Sequence, residues 1–241
     1  MNSNHSIKAI FFDLDGTLRH SVPEGGQVSD EYAASLGLSI TEEDHLRAMR
    51  WEHLYWANSP DLRDDLIAHS SDSENFWVEY SRRRLVAVGA SPAWASKYAP
   101  AVSAHMGEMY KPESIVPEDV RRALPNLKQA GYYMAVISNR EKPFHDLMES
   151  HDLEPFFEFS LAAGEVDSYK PEPGVFEHAL KRANLTAQEV VYVGDNYFAD
   201  VVGSRRAGLR PVLYDPLGIF PEADCATIKS FDELKSVIEA I

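Results

Sequence analysis

One short stretch constrains this chain more than any other. Ile7 to Phe12 is mostly apolar and rich in β-branched and aromatic residues, and it runs straight into Asp13-Leu14-Asp15-Gly16-Thr17. That pattern reads as a buried strand emptying into a tight polar loop. The second half of the chain supplies the partners. Strands are expected at Tyr133–Ile137, Phe157–Ala162, Val190–Val193 and Pro211–Tyr214. Helices are expected between them, from Pro117 to Ala130, around Phe144 to Ser150, from Gly174 to Arg182, and up to Gly208. A last helix runs from Phe231 to Ile241. Strands alternating with helices imply parallel βαβ units.

The region between the first strand and this alternating half has a different texture. From about Glu31 to Tyr110 it reads as helical throughout. Thr41 and Asp44 mark a helix start, with the helix running to Ala57. Ser59-Pro60 interrupts it. Ser73 caps a helix to Ala87, and Ser91-Pro92 opens another. His20 to Asp30 is polar and glycine-containing and reads as a loop. The expected fold is therefore α/β, a Rossmann-like parallel sheet core with an inserted four-helix bundle. The core comprises residues 1–18 and 111–241, and the helical insert residues 19–110. All four tryptophans (Trp51, Trp56, Trp77 and Trp94) fall in the insert, where they are expected to fill its small core. Arg82-Arg83-Arg84 is expected to be a solvated helix face, since successive helical positions point in different directions. His5, His20, His45 and His105 show no metal-ligand spacing.

Composition narrows the partners. Lys and Arg total 23 against 38 Asp and Glu, a formal net charge of −15. That balance disfavours a nucleic-acid backbone or an anionic membrane surface. A single cysteine, Cys225, excludes an intramolecular disulfide and fits a reducing compartment. No apolar run reaches the length of a membrane span, and no signal-peptide pattern precedes the first strand. A cytoplasmic protein, monomeric or a homodimer, is expected.

In open parallel sheets ligands bind beyond the carboxyl ends of the strands. The residues there are Asp13 and Asp15 after the first strand, Ser138-Asn139-Arg140 after the second, Lys170-Pro171 before a helix, and Gly194-Asp195-Asn196 with Asp200. Gathered aspartates repel one another unless a cation joins them, and an all-oxygen donor set favours Mg²⁺ over zinc. A divalent ion, a lysine and a serine hydroxyl suit a phosphoryl group.

These four segments resemble, in order, the four signatures of the haloacid dehalogenase superfamily. The insert resembles the helical cap of its phosphoglycolate phosphatase-like branch. One departure is visible: the family often has a glycine shortly before the third-signature lysine, and here Asp167 occupies that neighbourhood. The resemblance implies a phosphatase acting on a small phosphorylated metabolite. Asp13 would be the nucleophile, forming an aspartyl-phosphate, and Asp15 the general acid and base. Ser138, Asn139 and Lys170 would bind phosphate. Mg²⁺ would be held by Asp13, the Asp15 carbonyl and Asp195, with Thr17 and Asp200 in support. A sugar phosphomutase, or a non-catalytic interaction protein on the same fold, stays open. A dehalogenase is disfavoured by Asp15, and a phosphonatase by the absence of an early lysine in the insert.

Overall fold

The computed structural model describes residues 6–71 and 73–241. Along the chain come β1 (Ala9–Phe12), β2 (His20–Val22), α1 (Gly25–Ser35), α2 (Glu42–Trp56), α3 (Pro60–Ala68), α4 (Glu74–Ala87) and α5 (Pro92–Met109). Then follow β3 (Glu113–Ile115), α6 (Glu118–Gln129), β4 (Tyr133–Ser138), α7 (His145–Ser150), β5 (Phe159–Ala162), α8 (Pro173–Ala183) and β6 (Val190–Gly194). A π-helical turn (Tyr197–Val201) leads into α9 (Val202–Arg206), β7 (Arg210–Tyr214), β8 (Ala226–Ile228) and α10 (Leu234–Ala240). The chain divides into two compact units. One holds the described part of Met1–His20 together with Ile115–Ile241, and the other holds the described part of Ser21–Ser114.

The first unit is built on a six-stranded sheet in the order β5-β4-β1-β6-β7-β8, with every adjacent pair parallel. β1 is central, and all four of its residues are fully buried. Ile10 and Phe12 enter the apolar core on one face, with Val136, Val193 and Leu124. Ala9 and Phe11 enter the core on the other, with Ile137, Phe176 and Tyr192. That two-sided burial is why the β1 sequence is apolar without alternation. Each large side chain so buried contributes roughly 1.5–3 kcal/mol. α6 shows the complementary pattern: Val120, Ala123, Leu124 and Leu127 form its buried stripe at helical spacing. The order of strands reverses direction at β1, which has β4 on one side and β6 on the other. Their carboxyl ends therefore form the crevice where such sheets place their ligands. β8 had no sequence signal of its own, being three residues long and following an irregular stretch. The C-terminal segment begins with a 3-10 turn at Phe231–Glu233 before α10.

The second unit is helical. α1, α2, α4 and α5 pack on one another, and the short α3 packs on α2 and α4. α1 starts at Gly25, inside the stretch read from sequence as a loop. Its cap is Glu24, whose carboxylate accepts hydrogen bonds from Gly26 N and Gln27 N, both at 2.8 Å. Glutamate is not among the usual capping residues, so the start carries no standard signal. Ser59-Pro60 does more than interrupt α2. The Ser59 hydroxyl caps α3, with Pro60 in its first turn. Thr41 caps α2, with Asp44 completing a capping box.

Two sequence expectations for this unit are corrected. The bundle core consists of Ala33, Leu85, Ala90, Ala95, Ala99 and Val102. Small alanines line most of this core, and of the four indoles only Trp94 packs against it, partly buried. Trp51 and Trp94 are only half-buried, while Trp56 and Trp77 are 39% and 44% exposed. Trp51, Trp56 and Trp77 instead cluster with Tyr55, Phe76 and Tyr80 along α2 and α4. The arginine run is not a solvated face either. Arg84 is 2% exposed and ion-pairs with Asp30 of α1 and Glu52 of α2. Arg83 pairs with Asp61, Asp65 and Glu79. Three successive helical positions span most of a turn, so one of them had to face the bundle interior.

Candidate active site

The site lies in the first unit, at the carboxyl ends of β1, β4 and β6. Asp13 follows β1 directly, and its backbone N–H donates to Val193 O at 2.9 Å. The carboxylate is buried and faces Lys170, whose Nζ lies 2.6 Å from Asp13 Oδ1 and 2.7 Å from Asp200 Oδ1. Lys170 is itself 2% exposed. It is carried by the loop before α8 and braced by Asn139. The Asn139 side chain accepts from Lys170 N at 2.6 Å and donates to Lys170 O at 2.9 Å. Ser138 ends β4 and is buried. The resemblance gave Asn139 a phosphate-binding N–H. The side chain's role in fixing Lys170 is additional, and nothing in the sequence signals a bond across 31 residues.

Two glycines let the loops close on one another. Gly16 has φ of +92°, and a Cβ there would collide with the Asp195 carboxylate. A Cβ on Gly194 would collide with Asp200. Thr17 fastens the same junction: its hydroxyl donates to Asp195 Oδ1 at 2.9 Å and accepts from Asp195 N at 3.0 Å. The π-helical turn presents Asp200, which is 1% exposed and accepts from Asn196 N at 2.9 Å through Oδ2. Asp167, standing near the glycine usual in the family, adopts φ of 48°. Aspartate is one of the few non-glycine residues that tolerate this left-handed conformation, so the loop keeps a backbone shape that glycine takes freely.

Asp15 stands apart from this group. Its carboxylate accepts from Arg19 at 2.5 Å and from Arg140 in a bidentate pair at 2.8 and 2.9 Å. Arg140 is thereby tied to the site. Tyr192, a strand residue of β6, also belongs here. It is 1% exposed, and its hydroxyl accepts from Lys170 Nζ at 3.0 Å. β6 is buried along its whole length, so its sequence pattern marks Tyr192 only as a buried strand residue. Of the histidines, His45 pairs with Asp30 in the helical unit, and His5 lies outside the described residues.

Asp13, Asp195 and Asp200 each offer a carboxylate oxygen, and the three lie within 4.8 Å of one another. One lysine does not balance three aspartates. Burial pushes the Asp13 carboxyl up to about 7 despite the attraction of Lys170. Burial, with Asp13 and Asp200 nearby, pushes Asp195 well above the usual carboxylate range. Burial opposes the charge on Lys170, but Asp13 and Asp200 more than offset it and hold the ammonium well above its ordinary value. A buried, oxygen-only donor set with surplus negative charge fits a hard divalent cation. Among the described residues, no helix is long and apolar enough to cross a membrane.

Known proteins resemble this chain in sequence and fold. The family model of the haloacid dehalogenase-like hydrolases matches residues 7–208. A phosphoglycolate phosphatase of Vibrio cholerae is 27% identical over 84% of this chain and 82% of its own length. A glyceraldehyde 3-phosphate phosphatase of Pyrococcus abyssi is 28% identical, over 86% of this chain and 81% of its own. The crystal structure of a 2-haloacid dehalogenase from Pseudomonas syringae pv. tomato aligns with a TM-score of 0.56 at 25% identity, covering 97% of this chain and 99% of that one.

Proposed function

We propose that this chain, which belongs to the haloacid dehalogenase-like hydrolase family and is an enzyme, is a Mg²⁺-dependent phosphatase of a small phosphomonoester. The observation that carries the reading is the fully buried Lys170 ammonium set between Asp13 and Asp200. It gives an anionic nucleophile a fixed cation at the place where a second anion, the phosphate, must approach. The names of the two relatives support a phosphate ester as substrate. Asp15 argues against dehalogenation, which needs no group to protonate a leaving oxygen.

Asp13 attacks phosphorus and breaks the ester P–O bond, forming an aspartyl-phosphate. The difficult transfer becomes two easier ones. Asp15 protonates the departing oxygen, then takes a proton from the water that hydrolyses the acyl phosphate. Arg19 and Arg140 fix the orientation of its carboxylate. Ser138 and the Asn139 N–H hold phosphate oxygens, and Lys170 offsets charge between nucleophile and phosphate. Asp13, the Asp15 carbonyl and Asp195 would hold Mg²⁺, with Asp200 and Thr17 in support. When bound, the ion neutralises the Asp13 carboxylate against the phosphate. The helical unit, residues 19–110 in the sequence reading, serves as a cap that sets substrate choice and excludes water.

The test is phosphate release from a panel of small phosphomonoesters, with and without Mg²⁺, beside Asp13→Asn. Mg²⁺-dependent release that is lost in the variant is expected. Undiminished release by Asp13→Asn rules out the nucleophile. Phosphate returned to another position of a sugar, with none released, would establish a mutase instead.

A further inference from the structure

Tyr192 lies outside all four signature segments, yet it bonds Lys170 of one, the carbonyl just before another, and precedes a third. Its hydroxyl donates to the carbonyl of Ile137, the residue before Ser138, at 3.1 Å. It accepts from Lys170 Nζ at 3.0 Å. It stands three residues before Asp195 on β6. Its ring packs edge-on against Phe176 of α8 with centroids 5.0 Å apart, and Lys170 Nζ lies 5.5 Å from the ring centre.

An ammonium has three donors and no acceptor. All three of Lys170 are spent, on Asp13, Asp200 and Tyr192. A tyrosine hydroxyl has one hydrogen, and here it goes to Ile137 O, so Tyr192 serves Lys170 only as an acceptor. Two of the three partners are carboxylates, whose charge-assisted bonds are the stronger kind. The third is neutral and the longest. If Lys170 binds phosphate, as the phosphatase reading on which this inference rests requires, one of the three must yield, and the neutral one is the least costly to lose.

We propose that Tyr192 is a positioning residue that holds the third N–H of Lys170 until a phosphate oxygen takes it. The tyrosine keeps a buried donor satisfied in the free enzyme and keeps the ammonium centred between Asp13 and Asp200. The exchange imposes a small cost on phosphate binding.

Tyr192→Phe keeps the ring and removes the acceptor. The N–H is then buried and unpaired until phosphate arrives, and the penalty is relieved on binding. Inorganic phosphate should bind the variant about three- to tenfold more tightly than the wild type. KM for the ester should fall with it while kcat stays nearly unchanged, because in the bound complex the phosphate oxygen has already replaced the hydroxyl. A merely structural tyrosine would lower the melting temperature and leave phosphate affinity and KM unchanged. Calorimetric titration with inorganic phosphate, beside steady-state kinetics, reads the difference. A second measurement needs no variant. In wild-type protein labelled at tyrosine Cζ, saturating phosphate should shift the NMR resonance of a buried tyrosine, because Oη loses its lysine donor. A wild type that hydrolyses esters, with Tyr192→Phe unchanged in affinity and KM or with no tyrosine shift on phosphate binding, overturns the role of Tyr192 alone. A wild type that neither hydrolyses esters nor binds phosphate overturns the phosphatase reading, and this inference with it.

Discussion

Lys170 Nζ sits 2.6 Å from Asp13 Oδ1, with both side chains almost wholly removed from solvent. The two residues are 157 positions apart in sequence, and each is stable as an ion largely because of the other. Removing the lysine leaves Asp13 and Asp200 buried without a cation. Lys170→Met should therefore cost about 3–5 kcal/mol of stability, the typical cost of breaking a buried ion pair. It should also lower kcat by about 10²–10³, as loss of a preorganised charge does elsewhere. Urea unfolding and phosphate release on the same preparation check both. Unchanged stability would mean that the carboxyls simply protonate.

Mg²⁺ should raise the melting temperature, since a ligand that binds only the folded state stabilises it by mass action. The shift should grow with ion concentration and should be largely absent in Asp195→Asn, which removes one carboxylate of the cluster. Thermal melts across a Mg²⁺ titration, with the variant alongside, decide this. An equal shift in both proteins would place the ion elsewhere.

The helical unit is held by an ionic network as well as by its alanine-rich core. Arg84 joins Asp30, on a different helix, to Glu52 on a third. The Tyr80 hydroxyl donates to the same Glu52 carboxylate at 2.7 Å. Arg84→Met should destabilise by about 3–5 kcal/mol, because two carboxylates lose their buried cation. Adding Asp30→Asn and Glu52→Gln should recover part of the loss. Chemical denaturation of the single and triple variants tests it, and a single variant as stable as wild type contradicts it.

A pH dependence follows from the start of α2. Hydrogen bonds from the Thr41 side chain and backbone, with Arg47 nearby, hold the Asp44 carboxyl at about 2, below its ordinary 3.8. The unfolded state therefore binds the proton more readily. The stabilisation is full above about pH 4 and is lost as pH falls through about 2. Asp44→Asn should remove that acid-side dependence and lower the melting temperature at pH 5 more than at pH 2. Parallel loss at every pH would mean that the carboxylate charge does not matter.

Much of the site was legible because its chemistry sits in short contiguous segments at strand ends. Asp13, Asp15, Ser138, Lys170, Asp195 and Asp200 each follow a strand or open a helix, and local patterning finds those boundaries. The apolar run from Ile7 to Phe12 marked β1 as a buried strand, and the structure shows why it does not alternate: a strand buried on both faces has no polar face to show. Caps such as Thr41, Ser73 and Ser91 were readable for the same local reason.

Only the tertiary structure decided which side chains meet. The Asn139 brace on Lys170, the Arg140 grip on Asp15 and the Tyr192 contact with Lys170 join residues 22 to 125 positions apart, and no spacing rule reaches that far. The same holds for Arg84, which packing turned inward, and for Trp56 and Trp77, which packing left partly exposed. In both cases the deciding quantity is how closely the helices approach, which side chains on several helices set together. The sequence by itself determined most of the core's elements and which polar residues stand at their ends. The three-dimensional packing determined which polar groups lost water together and so had to satisfy one another.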